Sequence, residues 1–217
     1  MEKIAIILIY LHAILGGIAL FAGATALVVK KGGLLHRRSG NIFFYSMLVS
    51  ALVSLIVAVL PNHQNPFLFS IGLFSTYFLL SGYRGLRFRE KDLVLEIDKI
   101  ISSTVIFVGA AMVLVPVMVN GSIAIVLFVF GTAAIIFGIR DLKMFKDRER
   151  LRRQWLRIHL GKMTGAYIAA VSAFLVVNDF LPGLLNWFLP TILGSVYITY
   201  WMLKIKRETP STKNRIT

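Results

Sequence analysis

The chain contains no cysteine, which excludes disulfides, thiolate metal centres and cysteine nucleophiles. Acidic residues are scarce: ten Asp and Glu stand against 24 Lys and Arg in 217 residues. Histidine occurs only four times. There is no Walker loop, His-Glu-x-x-His pair, nucleophile elbow or dinucleotide fingerprint, so the commonest sequence routes to nucleotide, zinc-protease, esterase and nicotinamide chemistry are missing. The most telling absence is charge within the apolar runs. Asp, Glu, Lys and Arg are wholly missing from residues 4–29, 41–60, 67–83, 100–119, 122–139, 163–178 and 180–203.

What remains is grease with charge at its edges. The composition is 57% hydrophobic with a mean hydropathy of +0.77, against about 45–50% apolar in a soluble domain. A helical crossing takes roughly 20 apolar residues, so the seven runs predict seven transmembrane helices and leave no room for a soluble domain. Of the 24 cations, 23 fall at one end of these helices, at every second connection, and only Lys3 falls at the other. Lys and Arg gather on the cytoplasmic side of membrane proteins. The expectation is therefore an all-α integral membrane bundle, N-terminus outside and C-terminus cytoplasmic, over residues 1–206. A polar cytoplasmic tail is expected over 207–217. The first apolar run, 26 residues, is too long for the roughly 7–15-residue core of a cleavable signal peptide.

The net charge of +14 does not point to nucleic acid, because it is confined to short loops and the tail beside apolar spans. There each cation contributes about 1 kcal/mol of attraction to anionic headgroups, and the lipid bilayer is the expected partner. Gly16, Gly17 and Gly23 on the first helix permit close helix approach in lipid, which is compatible with a homo-oligomer or a membrane partner.

A weak internal repeat is visible. Gly82-Tyr83-Arg84-Gly85-Leu86 and Gly138-Ile139-Arg140-Asp141-Leu142 share Gly-x-Arg-x-Leu at the end of a descending helix. This suggests three hairpins, helices 1–2, 3–4 and 5–6, with a seventh helix added. Under that reading His36, Asp98 and His159 all stand at the feet of rising helices and could converge as a metal site, since two imidazoles and a carboxylate form a recognised open ligand set. Two imidazoles alone could ligate a haem iron axially. Met163, four residues after His159, shares its helix face and could line the same pocket. Arg84 and Arg140 at matched depths snorkel to the interface or bind a phosphate, a lipid headgroup or a haem propionate.

His12 lies inside the first helix and Asp179 at the outer end of the sixth. Ionisable residues within spans are functional candidates by default; a structural hydrogen bond to a neighbouring Ser, Thr or Tyr is the competing role for His12, and pairing with Lys3 for Asp179. His63 is expected to be solvated in an outer turn. Tyr77, Tyr83, Trp155, Trp187, Tyr197, Tyr200 and Trp201 fit interfacial belts or helix packing.

The stretch Leu35-His36-Arg37-Arg38-Ser39-Gly40-Asn41, followed by Phe43-Phe44, and the later His159-Leu-Gly-Lys-Met163 resemble two motifs of a bacterial family of multi-pass membrane proteins of unknown function. That family carries His-Arg-x-x-Gly-Arg after its first helix and His-x-x-x-Met at the start of a later one. This chain departs from it at Asn41, where Arg is common, and at Lys162, where Trp is. The resemblance implies a bacterial inner-membrane location and gives weight to His36 and His159, but supplies no activity. Three functions follow: a metal or haem protein with a redox role near the cytoplasmic face, a small-molecule or ion transporter, and a non-catalytic accessory subunit.

Overall fold

The computed structural model describes residues 2–208; the expected tail from residue 209 onward lies outside them. The chain forms seven α-helices: α1 (Glu2–Val28), α2 (Leu34–Val57), α3 (Pro66–Arg84), α4 (Glu96–Asn120), α5 (Ile125–Met144), α6 (Arg148–Asn178) and α7 (Leu185–Glu208). A 3-10 turn, Gly85–Arg89, follows α3, and no strand occurs among the described residues. Among the described residues six helices, α1, α2, α4, α5, α6 and α7, are long and apolar enough to cross a membrane.

Local chemistry sets the boundaries. Gly32, at φ 75°, breaks the chain between α1 and α2. Helix α2 then starts at Leu34, so His36, Arg37 and Arg38 occupy its opening turns rather than the connecting loop. Asn65 and Asp147 cap α3 and α6 by accepting the backbone N–H of Leu68 and Arg150, which satisfies donors that a helix start leaves orphaned. The 31 residues of α6 extend about 46 Å at 1.5 Å per residue, well beyond a hydrocarbon core of about 30 Å. The opening turns of α6, rich in arginine, therefore project past the apolar layer at the basic end of the bundle.

Helix α3 is the axis. Ile71, Phe74, Tyr77, Phe78 and Leu79 on it are all buried, and it packs against α2, α4 and α6. The main core joins Phe74, Tyr77, Phe78 and Leu79 to Ala19, Phe43, Phe44, Val105, Ala134 and Ala166 from five other helices, and Ile71 packs separately with Val108 and Met112. A second, smaller core lies at the basic end, where Phe88, Leu93 and Leu95 of the α3–α4 connection meet Phe145 and Leu151. That connection is thus folded against the bundle, and Arg148 donates to the Leu93 carbonyl at 3.0 Å.

Of the three expected hairpins, α1–α2 is closely packed and α3 lies against α4, but α5 does not pair with α6. The extensive seams are α1–α2, α4–α5 and α6–α7, whereas α5 and α6 barely touch. Glycine explains the α4–α5 seam. A Cβ on Gly109 would lie 2.6 Å from the Gly131 carbonyl oxygen, and one on Gly131 would lie 2.7 Å from that of Gly109. Gly138, one of the two repeat glycines, meets the Ser102 carbonyl in the same way, so its place in the shared motif follows from helix contact with α4. With lipid outside, such packing rather than water exclusion drives association.

Gly131→Ala should therefore force this seam apart, at a cost of about 1–3 kcal/mol. A clear fall in the thermal midpoint in detergent is expected, while Gly17→Ala, which meets nothing within 4 Å, leaves it unchanged. Equal midpoints for the two variants would contradict the seam.

Candidate functional site

The polar chemistry of the bundle gathers around the last two turns of α3. Tyr77 donates its hydroxyl to Asp141 Oδ2 of α5 at 2.7 Å. The same oxygen accepts from Lys162 Nζ of α6 at 2.7 Å, and Lys162 also contacts the Tyr77 hydroxyl. Asp141 and Lys162 are only 5% and 8% exposed. The ammonium lies 4.1 Å from the centroid of the Tyr77 ring and also faces the rings of Phe78 and Phe137, so cation–π attraction adds to the ion pair. These three side chains join α3, α5 and α6, although α5 packs only thinly on either partner.

One turn further along α3, Gly82 and Gly85 admit α6. A Cβ on Gly82 would meet Met163 Sδ at 2.9 Å and Lys162 Cβ at 3.0 Å, and one on Gly85 would meet the His159 backbone N at 3.2 Å. His159 Nδ1 donates to the Gly82 carbonyl at 2.8 Å. Next to it Arg84 grips Asp98 with two bonds of 2.7 and 2.6 Å, a bidentate pair that fastens the foot of α4 to the end of α3.

His36 adopts the same arrangement as His159: its Nδ1 donates to the Ala26 carbonyl of α1 at 2.9 Å. A carbonyl can only accept, so each Nδ1 carries a proton, and in the neutral form of such a ring Nε2 keeps its lone pair. The two imidazoles stand at the same level, one turn-pair below a ring contact between their helices. Phe43 and Tyr167 meet with ring centroids 5.9 Å apart, and Gly23 of α1 leaves room for both. His36 precedes Phe43 by seven residues and His159 precedes Tyr167 by eight, which is two helical turns on the same faces. His36 and His159 are near enough to act on one another electrostatically.

Not all the expected residues come together. Asp98 does not join the imidazoles; both its oxygens are engaged by Arg84. Among the described residues no three His, Cys, Asp or Glu are grouped to hold a metal ion, so the expected convergence of His36, Asp98 and His159 on one metal is not formed. Met163 packs its thioether beneath Gly82. Arg84 and Arg140 have separate roles, the first in the Asp98 pair and the second on the wall of a cleft between α5, α6 and α7.

Asp179 ends α6. It is an exposed C-cap residue at φ 50° whose Oδ1 accepts from Asn186 Nδ2 at 3.0 Å. His12 is locked into the α1–α2 seam: its Nδ1 lies 2.9 Å from Ser50 Oγ and 3.0 Å from the Ser50 carbonyl, and Ser50 Oγ donates to the His12 carbonyl at 3.0 Å. His63 bonds Glu2 at 3.2 Å, joining the two ends of that hairpin. No protein family, curated protein or solved structure matches this chain.

Sequence reasoning missed the Tyr77–Asp141–Lys162 cluster. By sequence Tyr77 fits an aromatic belt, Asp141 falls in a repeated motif, and Lys162 stands where a related motif has Trp. The usable signal was Lys162 itself, a single ammonium four residues inside an otherwise apolar stretch that begins at Ile158.

Breaking a buried pair by removing one partner costs about 3–5 kcal/mol. Lys162→Met and Asp141→Leu should each destabilise the bundle on that scale, whereas the double variant should lose much less than the sum. Thermal unfolding of the four proteins measures this, and additive losses would contradict a direct pair.

Proposed function

We propose that this chain is a seven-pass protein of a bacterial inner membrane, with its N-terminus outside, that carries electrons through a haem held between His36 and His159 near the cytoplasmic face. The observation that carries this reading is the matched anchoring of the two imidazoles. Each donates Nδ1–H to a backbone carbonyl, which fixes the tautomer, orients the ring and leaves Nε2 as a ligand; metal-binding histidines are held in just this way by their outer partners.

The donor set favours haem over a bare ion. Structural or catalytic zinc takes three or four protein ligands, and no such group of three is present among the described residues. A porphyrin brings four nitrogens of its own and needs only the two axial imidazoles. His36 and His159 would hold such a group, and the chemistry it would supply is electron transfer. Arg37 and Arg38, exposed and directly after His36, supply cations for the propionates. Seven crossings follow if α3 spans together with its neighbours, and the cations at one end support the orientation.

Purified full-length protein from haem-replete cells should show a Soret band and a sharp visible band on reduction, at one haem per chain. His36→Ala or His159→Ala should each abolish this low-spin spectrum, and His63→Ala should leave it intact. A colourless preparation, or a spectrum unchanged by both histidine variants, would overturn the proposal.

A further inference from the structure

Beneath the basic rim, α5 and α7 do not form a packed seam, and a cleft of about 850 Å³ opens between α5, α6 and α7. That volume lies within the roughly 300–1,000 Å³ typical of ligand sites. Its inner wall is apolar: Phe78, Phe130, Phe137, Ile168 and Phe188 line it. Thr191 and Thr199 of α7 also face the cleft, but their hydroxyls are committed to carbonyls of their own helix, so this face makes no demand for water.

The mouth has the opposite character. Arg140, Lys143, Arg150 and Arg157 stand around it, and among the described residues none of these four side chains belongs to an ion pair. The acidic side chains nearby are already engaged. Asp141 holds Lys162, Glu149 holds Arg153 at 3.2 Å, and Asp147 caps α6. Four uncompensated cations above an apolar slot in a membrane bundle complement one kind of molecule, an amphiphile with an acyl chain and a phosphate head.

We propose that the α5–α6–α7 cleft is a binding site for one anionic phospholipid, its chains against the aromatic wall and its phosphate held by Arg140, Lys143, Arg150 and Arg157. The buried Asp141–Lys162 pair forms the floor between the two zones. It keeps the cleft interior neutral overall, so the free charge that selects the headgroup lies at the rim. The site is independent of the cofactor proposed above, and a colourless protein would leave it standing.

The test uses delipidated full-length protein in nanodiscs and in detergent, with retained lipid measured by native mass spectrometry. Wild-type protein should retain one phosphatidylglycerol per chain and bind phosphatidylcholine at least tenfold more weakly. Arg140→Gln/Arg157→Gln should weaken phosphatidylglycerol binding by roughly tenfold or more, given about 1 kcal/mol per interfacial cation. Arg87→Gln/Lys99→Gln, which removes two exposed cations at the same end of the bundle, should change it little. Ala133→Trp, which fills the apolar slot without touching a charge, should abolish retention. Millimolar inorganic phosphate should not displace the lipid. Equal retention of the two lipids, equal losses in the two double variants, displacement by inorganic phosphate, or a dimer that buries the cleft would each overturn the proposal.

Discussion

The ion pair between Asp141 and Lys162, completed by the Tyr77 hydroxyl, is the constraint on which the rest of the arrangement depends. Charges buried away from water persist only when paired and hydrogen-bonded. Here the partners come from three helices, so the cost of separating them fixes how those helices lie. Helix α5 would otherwise be tied to the bundle chiefly through α4. The pair brings its basic end to α3 and α6 and so determines where the cleft begins.

The same length of α3 fixes two further relations. The Gly82 carbonyl orients His159, and Arg84 secures Asp98. From Tyr77 to Arg84 is eight residues, or about two turns, and within them α3 is bonded through side chains to α4, α5 and α6. Its upper half is held by shape instead, with Phe74 meeting the rings of Phe78 and Phe130 edge to face. The lower half is therefore specified by directional bonds and the upper half by packing, which suits a helix whose functional groups all lie at one end.

Most of the architecture was legible in the sequence because lipid imposes a simple rule: charge-free runs long enough to cross are helices. The α1–α2 connection and the long α6 were legible only in outline, since cations at a helix foot look like a loop when judged by polarity. The pairing of α1 with α2 was legible, but that of α5 with α4 rather than α6 was not. A shared Gly-x-Arg-x-Leu suggested equivalent hairpins, yet Gly82 packs on α6 and Gly138 on α4, so the two motifs serve different neighbours. Likewise His36 and His159 could be singled out from residue type, but Asp98 could not be separated from them until Arg84 was seen to hold it. Lys162 and Asp141 are 21 residues apart across a charged segment, and no spacing rule links such a pair.

The central claim is the register of α3 against α6, because it sets both the orientation of His159 and the position of Lys162. The chain's lack of cysteine makes this directly measurable by cross-linking in native membranes. A Cβ on Gly82 would lie 3.0 Å from Met163 Cγ, the place a cysteine Sγ at residue 163 would take, and about 3 Å is the separation of a Cβ from the far sulfur across an S–S bond of about 2.05 Å. Gly82→Cys/Met163→Cys should form an intramolecular disulfide readily on mild oxidation, whereas Gly17→Cys/Met163→Cys should not. Absence of the first cross-link, or equal yields from the two pairs, would contradict the account.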